Sequence, residues 1–212
     1  MMRSGLELSL GAVDIVCEDL RLGTLPYPLM VPHTTRSLSE RAHVRQLVHR
    51  DFVNSGLLRS GGYDPALIEC LRLVVDSPRA LSLTGFLADG SELCARVAGG
   101  KHAAVRVVIS GQHLRIEPVA SGALEAALVE LIPATPAGIG QSMNFPAEST
   151  GEEHGSTILR AAVQPVNRDV ARAGQLARAT KRSLGVLTAH GHGSHGRLRS
   201  STPLTWFDVA AG

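Results

Sequence analysis

At 212 residues with 44% hydrophobic composition, the chain is long enough to bury a core without a disulfide or metal, and with 3% aromatics it does not suit an aromatic-lined nucleic-acid or sugar groove. Its net charge is +2. Cys17, Cys70 and Cys94 are odd in number, far apart and set in apolar sequence, so they read as buried thiols of a reducing compartment; with no secretory leader and no apolar run of about 20 residues, the expected location is the cytoplasm, away from membrane.

In chain order, LELSL at 6–10 alternates as a short strand, and AVDIVCEDL at 12–20 carries apolar residues at helical spacing. Pro26 and Pro28 in LGTLPYPL enforce an extended exit. Ser37 and Glu40 have capping-box spacing for a helix ending near 54–56, with Val44, Leu47, Val48 and Phe52 on its inner face. Asp64 followed by Pro65 starts a third helix that turns Leu67, Cys70, Leu71 and Val74 inward.

From residue 80 the period changes to two. ALSLTGFLADG, SELCARVAGG, KHAAVRVVISG and QHLRIEPV are four strands joined at Asp89-Gly90, Gly99-Gly100 and Ser110-Gly111, which predicts an antiparallel meander. A helix at 123–132 follows and stops at Pro133 and Pro136. The order strand, helix, proline-broken exit thus occurs twice, at 6–29 and 114–138, which suggests a duplicated chain with halves 1–118 and 119–212 around one mixed sheet. A linking loop at 137–155, a basic helical region at 156–184 and a strand pair around 184–207 complete the reading.

Little of the familiar chemistry is present. GIGQS at 138–142 is neither GxSxG nor a phosphate-binding loop, and Glu152 and Glu153 lie where nothing would desolvate them. Glu18, Asp19, His43 and His49 read as surface residues. His190, His192 and His195 in LTAHGHGSHGRLR form an alternative metal-binding set, but interleaved glycines argue against one helical face and no CxxC supplies further ligands; the expected arrangement is a hairpin tip with solvated imidazoles, no metal and no cofactor. Residues 160–200 carry eight basic residues against one acid, Asp169. A nucleic-acid surface is the alternative there, and a solvated basic helix face without nucleic acid is the expectation.

Three segments together resemble the EspG family of type VII (ESX) secretion-associated proteins of actinobacteria: LGTLPYPL, the run from HAAVRVVISGQHLRIEPV through ALEAALVELIPATPAGIGQSMNFPAE, and TPLTWFD. Gly138, Gly140, Ser142 and Pro146 match the family's GxGxSxxxP-like loop. The resemblance implies an α+β fold with quasi-twofold symmetry, a central antiparallel β-sheet and two helical bundles, spanning 1–212 as one domain. It implies a cytoplasmic, non-enzymatic chaperone that keeps PE–PPE-type or related helical heterodimers soluble by binding the hydrophobic tip of the PPE subunit. Binding in the family is ascribed to a loop between central strands and to the C-terminal helical region. By position these correspond to Asp89, Gly90 and Ser91, to Gly99, Gly100, Lys101 and His102, and to Arg168, Arg172 and Leu176. Two departures stand out: Pro165 interrupts the basic helical region, and the family continues past TWFD with a further strand. An open strand at 203–209 and a homodimer formed through it are the expectations that follow.

Overall fold

The computed structural model describes residues 5–33, 35–136, 168–192 and 198–210. The chain divides into two compact units, Met1–Pro133 with Ser183–Trp206, and Ala134–Arg182 with Phe207–Gly212.

In the first unit, strand β1 (Leu6–Ser9) runs directly into helix α1 (Leu10–Asp19), because Ser9 ends one and caps the other: its hydroxyl accepts the Ala12 N–H at 3.1 Å. Helix α2 (Leu38–Asn54) starts as its sequence predicts, with the Ser37 hydroxyl accepting from Glu40 N–H at 3.1 Å. The Glu40 carboxylate reaches back to the Arg36 N–H at 2.8 Å. A two-residue hairpin, β2 (Leu58–Arg59) and β3 (Gly62–Tyr63), leads to α3 (Pro65–Val75), which Asp64 caps through the Ala66 N–H at 2.8 Å. The meander follows as β4 (Arg79–Phe86), β5 (Glu92–Gly99), β6 (Ala104–Ser110) and β7 (His113–Val119), then α4 (Leu124–Val129). Helix α5 (Arg168–Arg178) and strands β8 (Lys181–His192), β9 (Leu198–Ser200) and β10 (Leu204–Val209) complete the described elements.

The fold is α+β. One sheet runs β1-β7-β6-β5-β4-β8-β10 with β9 paired to β8, and every pairing with a described register is antiparallel. Strand alternation divides its side chains between two cores. Ala80, Ala98, Val105, Val107, Leu114 and Ile116 pack with α1, α2 and α3, while Leu83, Ala95, Val97 and Ala104 pack with α4. Strands β1 and β7, which open the two segments expected to be copies, lie side by side, with Leu8 opposite Leu114.

Helices α1 and α2 are joined by an ion ladder that includes Glu18, Asp19 and His49, expected from the sequence to be surface residues. Buried Asp14 accepts both terminal nitrogens of Arg41, one at 3.2 Å, and Glu18 accepts Arg41 Nε at 2.7 Å and Arg45 Nη2 at 2.6 Å. Asp19 accepts Arg45 Nε at 3.0 Å, and His49 Nε2 and the Tyr63 hydroxyl at 2.6 Å each. Burial alone would raise the Asp19 carboxyl, but the Tyr63 and His49 hydrogen bonds outweigh it and the net shift is downward. Glu18 is exposed as expected, Asp19 and His49 are partly buried, and all three tie the helices together. Arg41, Arg45 and His49 recur every four residues on α2 and occupy the face toward α1, which is why Leu47, expected inward, is partly exposed instead.

Other boundaries differ from expectation. Helix α4 closes at Val129, with residues 130–132 in turns before Pro133. The basic helix ends at Arg178, and Lys181 and Arg182 open β8 rather than extending it. Cys17 and Cys70 are buried, whereas Cys94 is only half-buried. GIGQS, Pro146, Glu152, Glu153 and Pro165 lie outside the described residues.

Within the second unit, Lys181 Nζ donates to the Ala177 and Ala179 carbonyls at 2.5 and 3.2 Å, closing the C-terminal end of α5, and stands 5.3 Å over the Phe207 ring. The Thr135 hydroxyl donates to Asp208 at 3.3 Å. Among the described residues no helix is long and apolar enough to cross a membrane.

Candidate protein-binding surface

Strands β4 and β8 are paired so that Phe86 is directly opposite Leu184, Thr84 opposite Val186 and Ser82 opposite Thr188. Alternation puts all of these on the face that carries α1, α2 and α3. Near β5 that face is covered, but at the Phe86 end it is open: Phe86 is 55% exposed and Leu184 38%. Tyr27, 61% exposed, stands beside them, its hydroxyl 3.5 Å from that of Thr84. Large apolar side chains grouped on one open strand end are a feature of protein-binding surfaces.

The same strand end carries the turn Asp89, Gly90, Ser91. Asp89 Oδ1 accepts the Ser91 N–H at 2.9 Å and the Ser91 hydroxyl at 2.6 Å, and these bonds hold its carboxyl below the usual range. Gly90 adopts φ +81°, a conformation that favours glycine. The turn is therefore a fixed polar rim next to the apolar group.

Gly99, Gly100, Lys101 and His102 form the next turn, closed by the Gly100 N–H to the Ala103 carbonyl at 2.9 Å. The eight residues of β5 separate it from the first turn, roughly 25 Å at the rise of a strand, so these two predicted segments are not brought together. Lys101 and His102 are exposed, whereas Gly99 is buried, where an added Cβ would stand 2.7 Å from Ala104 Cβ. Arg168, Arg172 and Leu176 all belong to α5, and Arg172 and Leu176 are exposed.

The histidines are not arranged as a metal site. His190 is in the body of β8, its Nε2 2.8 Å from the Ser82 hydroxyl and its Nδ1 2.9 Å from the Ser200 hydroxyl, so both ring nitrogens already have partners. This corrects the expected solvated tip, because β8 runs on to His192 and carries His190 back over β4. Burial, and then the positive charge of Arg96, hold its pKa below the ordinary value. His192 is exposed at the strand end, and His195 lies outside the described residues. Among the described residues no three His, Cys, Asp or Glu side chains could share a metal ion.

Phe86, Leu184 and Tyr27 are not among the sequence-predicted candidates, which lie in the turns and on the basic helix. A signal was present: in ALSLTGF, Phe86 shares its face with Ser82 and Thr84, and an aromatic in phase with polar residues at a strand end points to an exposed one.

Comparison with known proteins adds to this geometry. The chaperone EspG5 of the Mycobacterium tuberculosis type VII secretion system, solved in complex with a PE25–PPE41 dimer, has a similar structure: TM-score 0.65 at 14% identity, covering 98% of this chain and 84% of that one. No curated protein sequence matches. The EspG family model matches residues 9–212, and EspG proteins are a chaperone family rather than enzymes. On a match over nearly its whole length, the chain belongs to the EspG family.

Proposed function

We propose that this protein is a cytoplasmic chaperone of type VII secretion that binds a PE–PPE-like helical heterodimer and keeps it soluble, with residues 1–212 acting as one EspG-like domain. Family membership supports the chaperone role, and the likeness to EspG5, which was solved with such a dimer, supports the client class. The observation that carries the reading is the exposed pair Phe86 and Leu184, with Tyr27 beside it and the Asp89–Ser91 turn as rim. Masking a client's apolar tip calls for a surface of about 800 Å² per partner organised around a few apolar anchors. Lys101 and His102, and Arg172 and Leu176 on α5, are proposed as outlying contacts. Co-expression with PE–PPE-like proteins encoded beside its gene tests the reading. A soluble complex of one chaperone with one heterodimer is expected, and failure of every such pair to co-purify with the chain would overturn it.

A further inference from the structure

Strand β5 carries a charge among its buried side chains. Arg96 is in phase with Ala98 on the face toward α1, α2 and α3, opposite Ser82 of β4 and Val107 of β6, and only 4% of it is exposed. No carboxylate among the described residues pairs with it, and burial alone lowers its pKa. An unpaired buried cation costs free energy that a leucine in its place would not. What the guanidinium supplies instead is directed hydrogen bonds.

Those bonds join two separate segments. Nε donates to the Val74 carbonyl and Nη1 to the Tyr27 carbonyl, each at 3.3 Å. The first closes the end of α3: the residue four positions after Val74 is Pro78, which has no N–H to give, and a cation suits a helix C-terminus. The second holds the segment between α1 and α2 from its inner side. Leu29 of that segment is fully buried in the core, whereas Tyr27 is turned outward and 61% exposed. The Tyr27 hydroxyl meets that of Thr84 only at 3.5 Å, a marginal distance, so the bond from the charged donor to its carbonyl is the firmer attachment.

We propose that Arg96 is a positioning residue for client binding: by fastening the Tyr27 backbone to the end of α3, it sets the Tyr27 side chain beside Phe86 and Leu184 and makes the three one surface. Arg96 is too buried to touch the client itself and acts through Tyr27. The proposal rests on the client reading for its last step and on the free protein for the rest.

The test uses the full chain carrying Arg96→Lys, which keeps a positive charge and an aliphatic stem but not the fork that reaches both carbonyls. Hydrogen exchange by NMR is read first, with no client present. The Leu29 and Met30 amides, bonded to the Pro26 and Pro28 carbonyls at 3.0 and 2.8 Å, should exchange at least about tenfold faster than in the parent, while those of Val107 and Ile116 in the sheet keep the parent's rate. Capture of the co-expressed heterodimer is read second. Arg96→Lys should weaken it at least about fivefold and Tyr27→Ala by as much or more; adding Arg96→Lys to Tyr27→Ala should cost little further, because its effect runs through Tyr27. A role in stability alone would lower the melting temperature without this non-additivity. Unchanged exchange at Leu29 and Met30, undiminished capture by Arg96→Lys, or an equal loss in both backgrounds would each overturn the proposal. If Arg96→Lys does not fold, Arg96→Gln takes its place, and a chain that folds with neither would make Arg96 a support of the fold alone and overturn the proposal too. If the parent captures no heterodimer, the client reading fails while the exchange result still decides whether Arg96 places Tyr27, so the two failures are distinguishable.

Discussion

Phe86 on β4 faces Leu184 on β8 across a register in which the next pair inward is Gly85 opposite Gly185, so the two large side chains project from a place where the backbones run unusually close. An alanine-type Cβ on Gly85 would stand 2.5 Å from the Leu184 carbonyl oxygen. Strand pairing thus sets the apolar pair side by side. Phe86→Asp and Leu184→Asp should each weaken client capture by at least about 30-fold, the loss of one interface anchor. Both side chains are substantially exposed, so stability should change by only about 0.5 kcal/mol. Pull-down of a co-expressed heterodimer, read beside a thermal melt, separates these effects. Undiminished capture by both variants would remove the pair from the interface.

Gly185 has a second close neighbour. A Cβ there would lie 2.5 Å from Trp206 Nε1 and 2.6 Å from the Thr84 carbonyl oxygen, so the indole fits on β8 only because residue 185 has no side chain. Gly185→Ala should destabilise the chain by about 1–3 kcal/mol through overpacking. Trp206 Nε1 is itself buried without an acceptor among the described residues. Trp206→Phe removes that unsatisfied donor while losing some packing, and should be near neutral. Combining the two changes should recover only part of the loss, because the Thr84 carbonyl remains in the way. Urea unfolding of the three variants measures this. A Gly185→Ala as stable as the parent would show that β8 shifts freely.

Much of this fold was legible from residue order. Ser37 and Asp64 announced two helix starts through local hydrogen bonds that depend only on neighbouring residues, whereas Ser9, which caps α1 in the same way, read only as part of a strand. The meander was legible because period-two patterning and glycine turns are local too. What was not legible was long-range. Asp14, Glu18 and Asp19 on α1 meet Arg41, Arg45 and His49 some 23 to 30 positions later, and nothing in either helix alone names its partner. His190 read as a loop residue because its glycines look like loop sequence, yet pairing with β4 across 108 positions made it part of a strand. For the binding surface, the Asp89–Ser91 turn was read as a candidate. The apolar pair beside it depended on which strand β4 would meet.

Strand β10 is the outer member of the sheet, paired with β8 on one side and with no strand on the other among the described residues. Leu204 on it is 66% exposed, and Asp208 is the only charge after Arg199 to discourage another chain. Such an edge invites pairing. The parent is expected to dimerise or to scatter light on warming, and Leu204→Lys to suppress this without altering client capture. A strictly monomeric parent with a reversible melt would show the edge to be covered.

His190 should make stability fall in mild acid. Its folded pKa is depressed by burial and then by Arg96, whereas unfolded it returns to about 6.5. Below that value the unfolded chain binds the proton more readily than the folded one, so the stabilisation is present above the unfolded pKa and is lost as pH falls through the folded pKa. Protonation would also put a charge beside the Arg96 guanidinium, itself buried and bound to the Val74 and Tyr27 carbonyls at 3.3 Å each. The Glu18, Asp19 and Glu117 carboxyls are shifted down, so they titrate below this window and leave the histidine slope readable. Melting temperature measured from pH 7.5 to 5 should therefore decline in the parent and decline less in His190→Gln, whose amide can still meet the Ser82 and Ser200 hydroxyls. Parallel curves for the two proteins would mean that another histidine sets the slope and that His190 does not.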